Sequence, residues 1–204
     1  MIVILDRQHY GKPGKDDLGA GVDLDGDGKV ESDEREARLT PTYIYAAKDY
    51  LASRGHIVYV LQEGWYSDRH VEACGIAHQH VDQKVAYIAC HLNAGGGNYS
   101  VTLSDERSKG GYKLAQSIAT NMSTELPEVA RHLVKECSPD LWTNAYYTIK
   151  GIYSGPANIS GVCFEPLFMD NTDHQELLDD EGLKRIGVIL AQGCLSWAGE
   201  RDDD

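Results

Sequence analysis

Nothing in the 204 residues approaches the roughly 20 consecutive apolar positions that a membrane-spanning helix needs, so no segment is expected to cross a bilayer. No Pro- or Ser-rich stretch divides the chain, and no internal repeat is visible beyond the Asp-Gly pairs near residue 25, which favours one domain over a string of modules. Basic residues are scarce: 19 Lys and Arg stand against 32 Asp and Glu, a formal net charge of −13. Phosphate backbones are held by clustered Lys and Arg, so a nucleic-acid partner is not expected. The five cysteines, Cys74, Cys90, Cys137, Cys163 and Cys194, are odd in number, contain no CxxC pair and lie mostly within apolar runs. They read as reduced, buried side chains, with Cys90 and Cys163 secondary candidates as soft metal ligands. A secretion signal is not expected either, because Met1 opens directly into a strand-like run.

What is present alternates. Short apolar, β-branched runs at Met1–Leu5, His56–Leu61, Val85–Cys90, Tyr99–Leu103 and Gly161–Glu165 read as strands. Between and after them, three- and four-residue apolar spacing predicts helices over Arg35–Arg54, Tyr112–Met122 and Leu183–Trp197. The expected fold is a single α/β domain, a central mixed twisted sheet flanked by helices. The stretch from Pro127 to Gly155 is the least readable; it predicts a helix around Val129–Lys135 and a substrate-facing loop around Trp142–Tyr147.

Three polar residues stand at strand ends, where α/β sheets place their active centres. His9 lies just past the first run, His91 directly follows Cys90, and Glu165 closes the run that Pro166 terminates. Either His alone would be an ordinary surface or core residue; the coincidence of three strand ends makes them candidates.

The segment from Asp23 to Glu34 has a different character. Counting from Asp23, side-chain oxygens fall at the first, third, fifth, ninth and twelfth positions (Asp23, Asp25, Asp27, Glu31, Glu34), with Gly28 at the sixth and Val30 at the eighth. That is the EF-hand calcium pattern, in which Lys29 contributes only its backbone carbonyl. The preceding residues are rich in Gly, Lys and Asp, so an EF-hand-like calcium loop leading into a single long helix is expected.

These blocks resemble, in order, those of the zinc-dependent N-acetylmuramoyl-L-alanine amidases of the third class, which cleave peptidoglycan. Ile2–Gly11 is similar to the family's first strand and His loop, with Arg7-Gln8 in place of a Pro-Gly pair; Asp17-Leu18-Gly19-Ala20 is similar to its Asp-x-Gly-Ala. Glu36-Ala37-Arg38-Leu39-Thr40 fits its Glu-x-x-Leu-Thr, Ala89–Ala94 its Ile-His-x-Asn-Ala, and Cys163–Asn171 its last block, with Leu167 in place of a Gly. The resemblance implies a catalytic domain over residues 1–198, followed by an acidic tail, 199–204, that is expected to fray. It implies Zn²⁺ held by His9, Glu36 and His91, with Glu34 the alternative to Glu36, and Glu165 as the catalytic carboxylate. Glu34 and Glu36, two apart on one helix, would point about 200° apart, one to calcium and one to zinc. The implied substrate is peptidoglycan and the implied state a monomer. A wall-cleaving enzyme made without a signal would be a phage or prophage lysin released by another protein. The alternatives are a catalytically inactive, calcium-stabilised wall-binding module and a zinc peptidase or amidohydrolase acting on another amide.

Overall fold

The computed structural model describes residues 1–14 and 17–200. In chain order it contains β1 (Ile2–Arg7), α1 (Glu36–Ser53), β2 (Ile57–Leu61), α2 (Tyr66–Gln79), β3 (Val85–Cys90), β4 (Ser100–Asp105), α3 (Lys109–Glu125), β5 (His132–Cys137), α4 (Thr143–Tyr153), β6 (Ile159–Glu165), a 3₁₀ helix (Thr172–Leu178) and α5 (Asp180–Ala198). One six-stranded sheet runs in the order β2-β1-β3-β6-β4-β5. β2, β1, β3 and β6 are mutually parallel, whereas β4 meets β6 antiparallel and carries β5 parallel to itself.

The burial of the strands explains why they read as unbroken apolar runs. β1 and β3 are buried at every position, as expected of parallel strands covered on both faces. Val3, Leu5, Ala86, Ile88, Val162 and Phe164 pack against α1, α3 and α5. The alternate positions, among them Ile2, Ile4, Val85, Tyr87 and Leu103, pack against α2 and α4. The result is a three-layer α/β/α domain, and none of the described helices is long and apolar enough to cross a membrane.

The structure corrects the sequence in the stretch that was hardest to read. The helix expected over Val129–Lys135 is instead a bend leading at His132 into β5, an edge strand in register with β4 from Ser100↔His132 to Asp105↔Cys137. Apolar residues at 129, 130, 133 and 134 mimic helical spacing, and pairing with β4 overrides that local preference. The loop expected at Trp142–Tyr147 is the first turn of α4, entered through Trp142 in the left-handed region at φ 54°. Helix α2 has no counterpart in the expectations. Gly199 caps α5, and a carboxylate oxygen of Glu200 lies 3.1 Å from His56 Nε2. Residues 201–204 lie outside the described residues.

Helix α5 crosses α1 at Gly187, where a Cβ would sit 2.2 Å from the Tyr43 carbonyl oxygen and 2.9 Å from Ala46 Cβ. Gly187→Ala is therefore expected to force the two helices apart and cost about 1–3 kcal/mol of stability. A denaturant titration checks this; an unchanged midpoint contradicts the close crossing.

Candidate metal centre

Three adjacent parallel strands, β1, β3 and β6, end on the same edge of the sheet. His9 lies two residues beyond β1, His91 immediately follows β3, and Glu165 is the last residue of β6. The first residue of α1, Glu36, reaches the same place from the helical layer. His91 Nδ1 lies 2.8 Å from Glu36 Oε1, and His9 Nε2 lies 3.5 Å from Glu36 Oε2. The two imidazole rings meet edge to face at 5.1 Å between centroids. One ligand atom from each of the three residues falls within 4.8 Å of the others, so the group could hold a metal ion. His91 Nε2 is buried and has no hydrogen-bond partner among the described residues.

Glu36 is placed by its surroundings rather than by a capping side chain. The first amides of α1 are satisfied by the preceding loop: Glu36 N–H donates to Ala20 O (2.8 Å) and Ala37 N–H to Leu18 O (3.0 Å). The carboxylate in turn accepts from the amides of Leu92 (3.0 Å) and Ala20 (3.3 Å). Gly19, at φ +73°, makes room for it, since a Cβ there would lie 2.5 Å from Glu36 Oε2 and 3.0 Å from His9 Cγ. Pro41 inside α1 has no N–H for the Ala37 carbonyl four residues back. Arg7, at the end of β1, donates to that carbonyl instead (2.9 Å) and ties the strand that leads to His9 to the helix that carries Glu36.

Electrostatics follow from this burial. Desolvation alone would raise the Glu36 carboxyl, but the hydrogen bond from His91 and the charges of both imidazoles outweigh it and hold the group below its usual range. For His91, burial disfavours the charged ring, and Glu36 reverses the balance, so its pKa is raised. His9 Nδ1 faces Asp17 Oδ1 at 3.0 Å, while Lys12 Nζ holds the other Asp17 oxygen at 2.6 Å. A carboxylate on Nδ1 leaves Nε2 as the nitrogen turned to Glu36, the arrangement that fixes the tautomer of metal-binding histidines.

Glu165 lines the same cleft, which has a volume of about 440 Å³, with Tyr66, Asn144, Tyr147 and Thr148 on other walls. Burial raises the Glu165 carboxyl, and repulsion from Glu36 adds to the rise, against the attraction of His91 and a hydrogen bond from Asn93. Asn93 stood out in the sequence only as part of the Ala89–Ala94 block, and Tyr66 carries no signal there. Asn144 and Tyr147, from the stretch expected to be a substrate-facing loop, line this cleft from the first turns of α4 instead.

Glu34 is held apart from this cluster. It precedes α1, so the expected 200° separation on one helix does not apply; the loop itself turns Glu34 back. Its Oε1 accepts from Leu24 N–H (2.5 Å) and Asp25 N–H (3.3 Å), and its Oε2 from Glu31 N–H (2.9 Å). Asp23, Asp25 and Asp27 form one carboxylate group, and Asp25, Glu31 and Glu34 another, each with ligand atoms within 4.8 Å. Neither Cys90 nor Cys163 joins a metal-capable cluster among the described residues. Their thiols lie 3.5 Å from Ile88 O and 3.9 Å from Glu165 Oε1.

No protein-family profile and no curated protein sequence matches the chain. Solved structures do. AmiC2, an N-acetylmuramoyl-L-alanine amidase of Nostoc punctiforme, superposes with a TM-score of 0.71 at 15% identity, covering 98% of each chain. This chain has the amidase fold. The CwlD amidase of Clostridioides difficile, solved with the GerS lipoprotein, gives a TM-score of 0.69 at 17% identity over 97% of this chain and 98% of that one. The catalytic domain of the CD27L endolysin, which targets Clostridia difficile, gives 0.66 at 16% identity over 100% and 99%. The amidase fold thus accounts for essentially the whole described chain.

The geometry separates the two glutamates experimentally. Glu36→Ala is expected to abolish stoichiometric zinc binding, and Glu34→Ala to leave it intact. Metal analysis after dialysis of both variants checks this; zinc loss confined to Glu34→Ala contradicts the arrangement.

Proposed function

We propose that the chain is a zinc-dependent N-acetylmuramoyl-L-alanine amidase, hydrolysing the amide between N-acetylmuramic acid and L-alanine in peptidoglycan. The observation that carries the reading is the His9–Glu36–His91 group, with Glu36 and His91 buried and His9 half-buried, beside Glu165 in a cleft at the strand ends of an amidase fold. Two imidazoles and a carboxylate supply the mixed nitrogen and oxygen shell that suits zinc, with a position left for substrate. When bound, zinc would polarise the scissile carbonyl and activate the attacking water.

The rest of the work falls to the chain. His9, Glu36 and His91 would hold the ion, and Asp17 fixes the His9 ring through Nδ1, which leaves Nε2 to serve as the ligand. Glu165 takes the proton from the attacking water and delivers it to the departing L-alanine amine. Asn93 holds its carboxylate in place. Tyr66, Asn144 and Tyr147 shape the cleft that receives the substrate.

The same reading includes calcium as a structural ion in the loop of Asp23, Asp25, Asp27, Lys29, Glu31 and Glu34. Its support is the match to the calcium pattern at every diagnostic position, together with a loop that folds Glu34 back over Asp25 and Glu31. An antiparallel bridge between Gly21 and Arg35 closes the loop at the start of α1, so an ion there would brace the helix that carries Glu36.

Three measurements test these assignments. Mass spectrometry of digested peptidoglycan should show intact stem peptides with a free L-alanine amino terminus; cleavage at another bond would replace the amidase with a different hydrolase. Glu165→Gln should keep its zinc and lose about 10²- to 10⁴-fold in rate. Wild-type turnover in Glu165→Gln would move the role elsewhere. Calcium at a hundredfold excess over its Kd should stabilise the zinc-loaded protein by roughly 2.7 kcal/mol, and Asp25→Ala should abolish the effect. A melting midpoint indifferent to calcium leaves an ordinary acidic loop.

A further inference from the structure

We propose that Arg69, on α2, is a positioning residue for His9: its guanidinium fixes the backbone on both sides of the histidine and so sets the metal-binding geometry. The inference rests on the metal-centre reading above. Arg69 is fully buried and does not line the cleft. A buried guanidinium needs partners for all its donors, and Asp6, itself fully buried, meets only part of that need through Nη1 at 2.8 Å. The remaining bonds go to backbone carbonyls. Nη1 also donates to Arg7 O (2.7 Å), Nη2 donates to Tyr10 O, and Nε reaches Glu63 O at 3.4 Å.

Arg7 and Tyr10 bracket the turn that contains His9, whose φ of 55° is one that L side chains rarely adopt. Such a conformation persists where its surroundings over-determine it, and here a single side chain holds a carbonyl on either side. The same helix reaches the ring by a second route. Lys12 Nζ donates to Tyr66 OH (3.1 Å) and to Asp17, which faces His9 Nδ1. α2 therefore grips His9 twice, at the main chain through Arg69 and at the ring through Tyr66, Lys12 and Asp17. Asp6 completes the assembly by accepting also from Gln8 Nε2 (2.5 Å) and the Tyr87 hydroxyl. A lysine at position 69 could neutralise Asp6, but a compact ammonium lacks the planar fork that spans Asp6 and two carbonyls.

Two variants separate positioning from folding. Arg69→Lys keeps the charge opposite Asp6 and removes the fork. The double variant Asp6→Asn, Arg69→Met removes both buried charges, so that neither is stranded. Each is compared with the parent for melting midpoint, zinc affinity by chelator competition, and the visible spectrum of the Co²⁺-substituted protein. The expected result is a folded protein with zinc affinity about 10- to 100-fold lower and an altered Co²⁺ spectrum. Folded variants that bind zinc within about twofold of the parent, outside that range, overturn the proposal. Failure of both variants to fold also overturns it, by assigning Arg69 to folding alone. A parent chain that binds no zinc overturns the metal-centre reading itself, a result distinguishable from the other two.

Discussion

The carboxylate of Glu36, buried between two imidazoles, is the constraint around which this end of the molecule is arranged. An ionised carboxylate taken out of water without partners would cost several kcal/mol, and the amides and imidazoles around Glu36 offset part of that cost. Two backbone amides, from Ala20 and Leu92, donate to it, and His9 and His91 face its two oxygens. These partners come from three segments, with His91 and Leu92 sharing one, so the position of one side chain depends on the loop before α1, on the start of α1 and on the ends of β1 and β3. A metal ion among these groups would take over the role that the imidazoles play toward the carboxylate.

The two helical layers divide the labour. The α1, α3 and α5 layer supplies Glu36 and, through the Tyr43 hydroxyl on the His91 carbonyl (3.0 Å), braces the end of β3. The α2 and α4 layer supplies the cleft walls and the grip on the loop after β1. The sheet between them aligns His9, His91 and Glu165 because β1, β3 and β6 are neighbours and parallel. An antiparallel β6 would have carried Glu165 to the opposite edge of the sheet.

Much of this was legible in the sequence because buried parallel strands leave unbroken apolar runs and because polar residues at their ends are few. His9, His91 and Glu165 could be picked out on that ground, and Glu36 through the resemblance of its block to a known family. What was not legible depends on tertiary partners. β5 is a strand because β4 lies beside it, and Val129–Lys135 alone spaces its apolar residues like a helix. The entry to α4 rests on a left-handed Trp142, which no residue type announces. Arg69 looks like any helical arginine until Asp6 and the carbonyls around His9 are seen to meet it. Glu34 and Glu36 differ in role through the course of the loop, which ends before the helix begins, and not through the helical phase that their spacing suggested.

The central claim is that His9, Glu36 and His91 form a single zinc site. Anomalous diffraction above and below the zinc edge, from crystals grown with zinc, tests it most directly. The account predicts one strong peak, with a nitrogen of each histidine and an oxygen of Glu36 at about 2.0–2.2 Å. No peak there, or a zinc held instead by Glu34 or a cysteine, would contradict it.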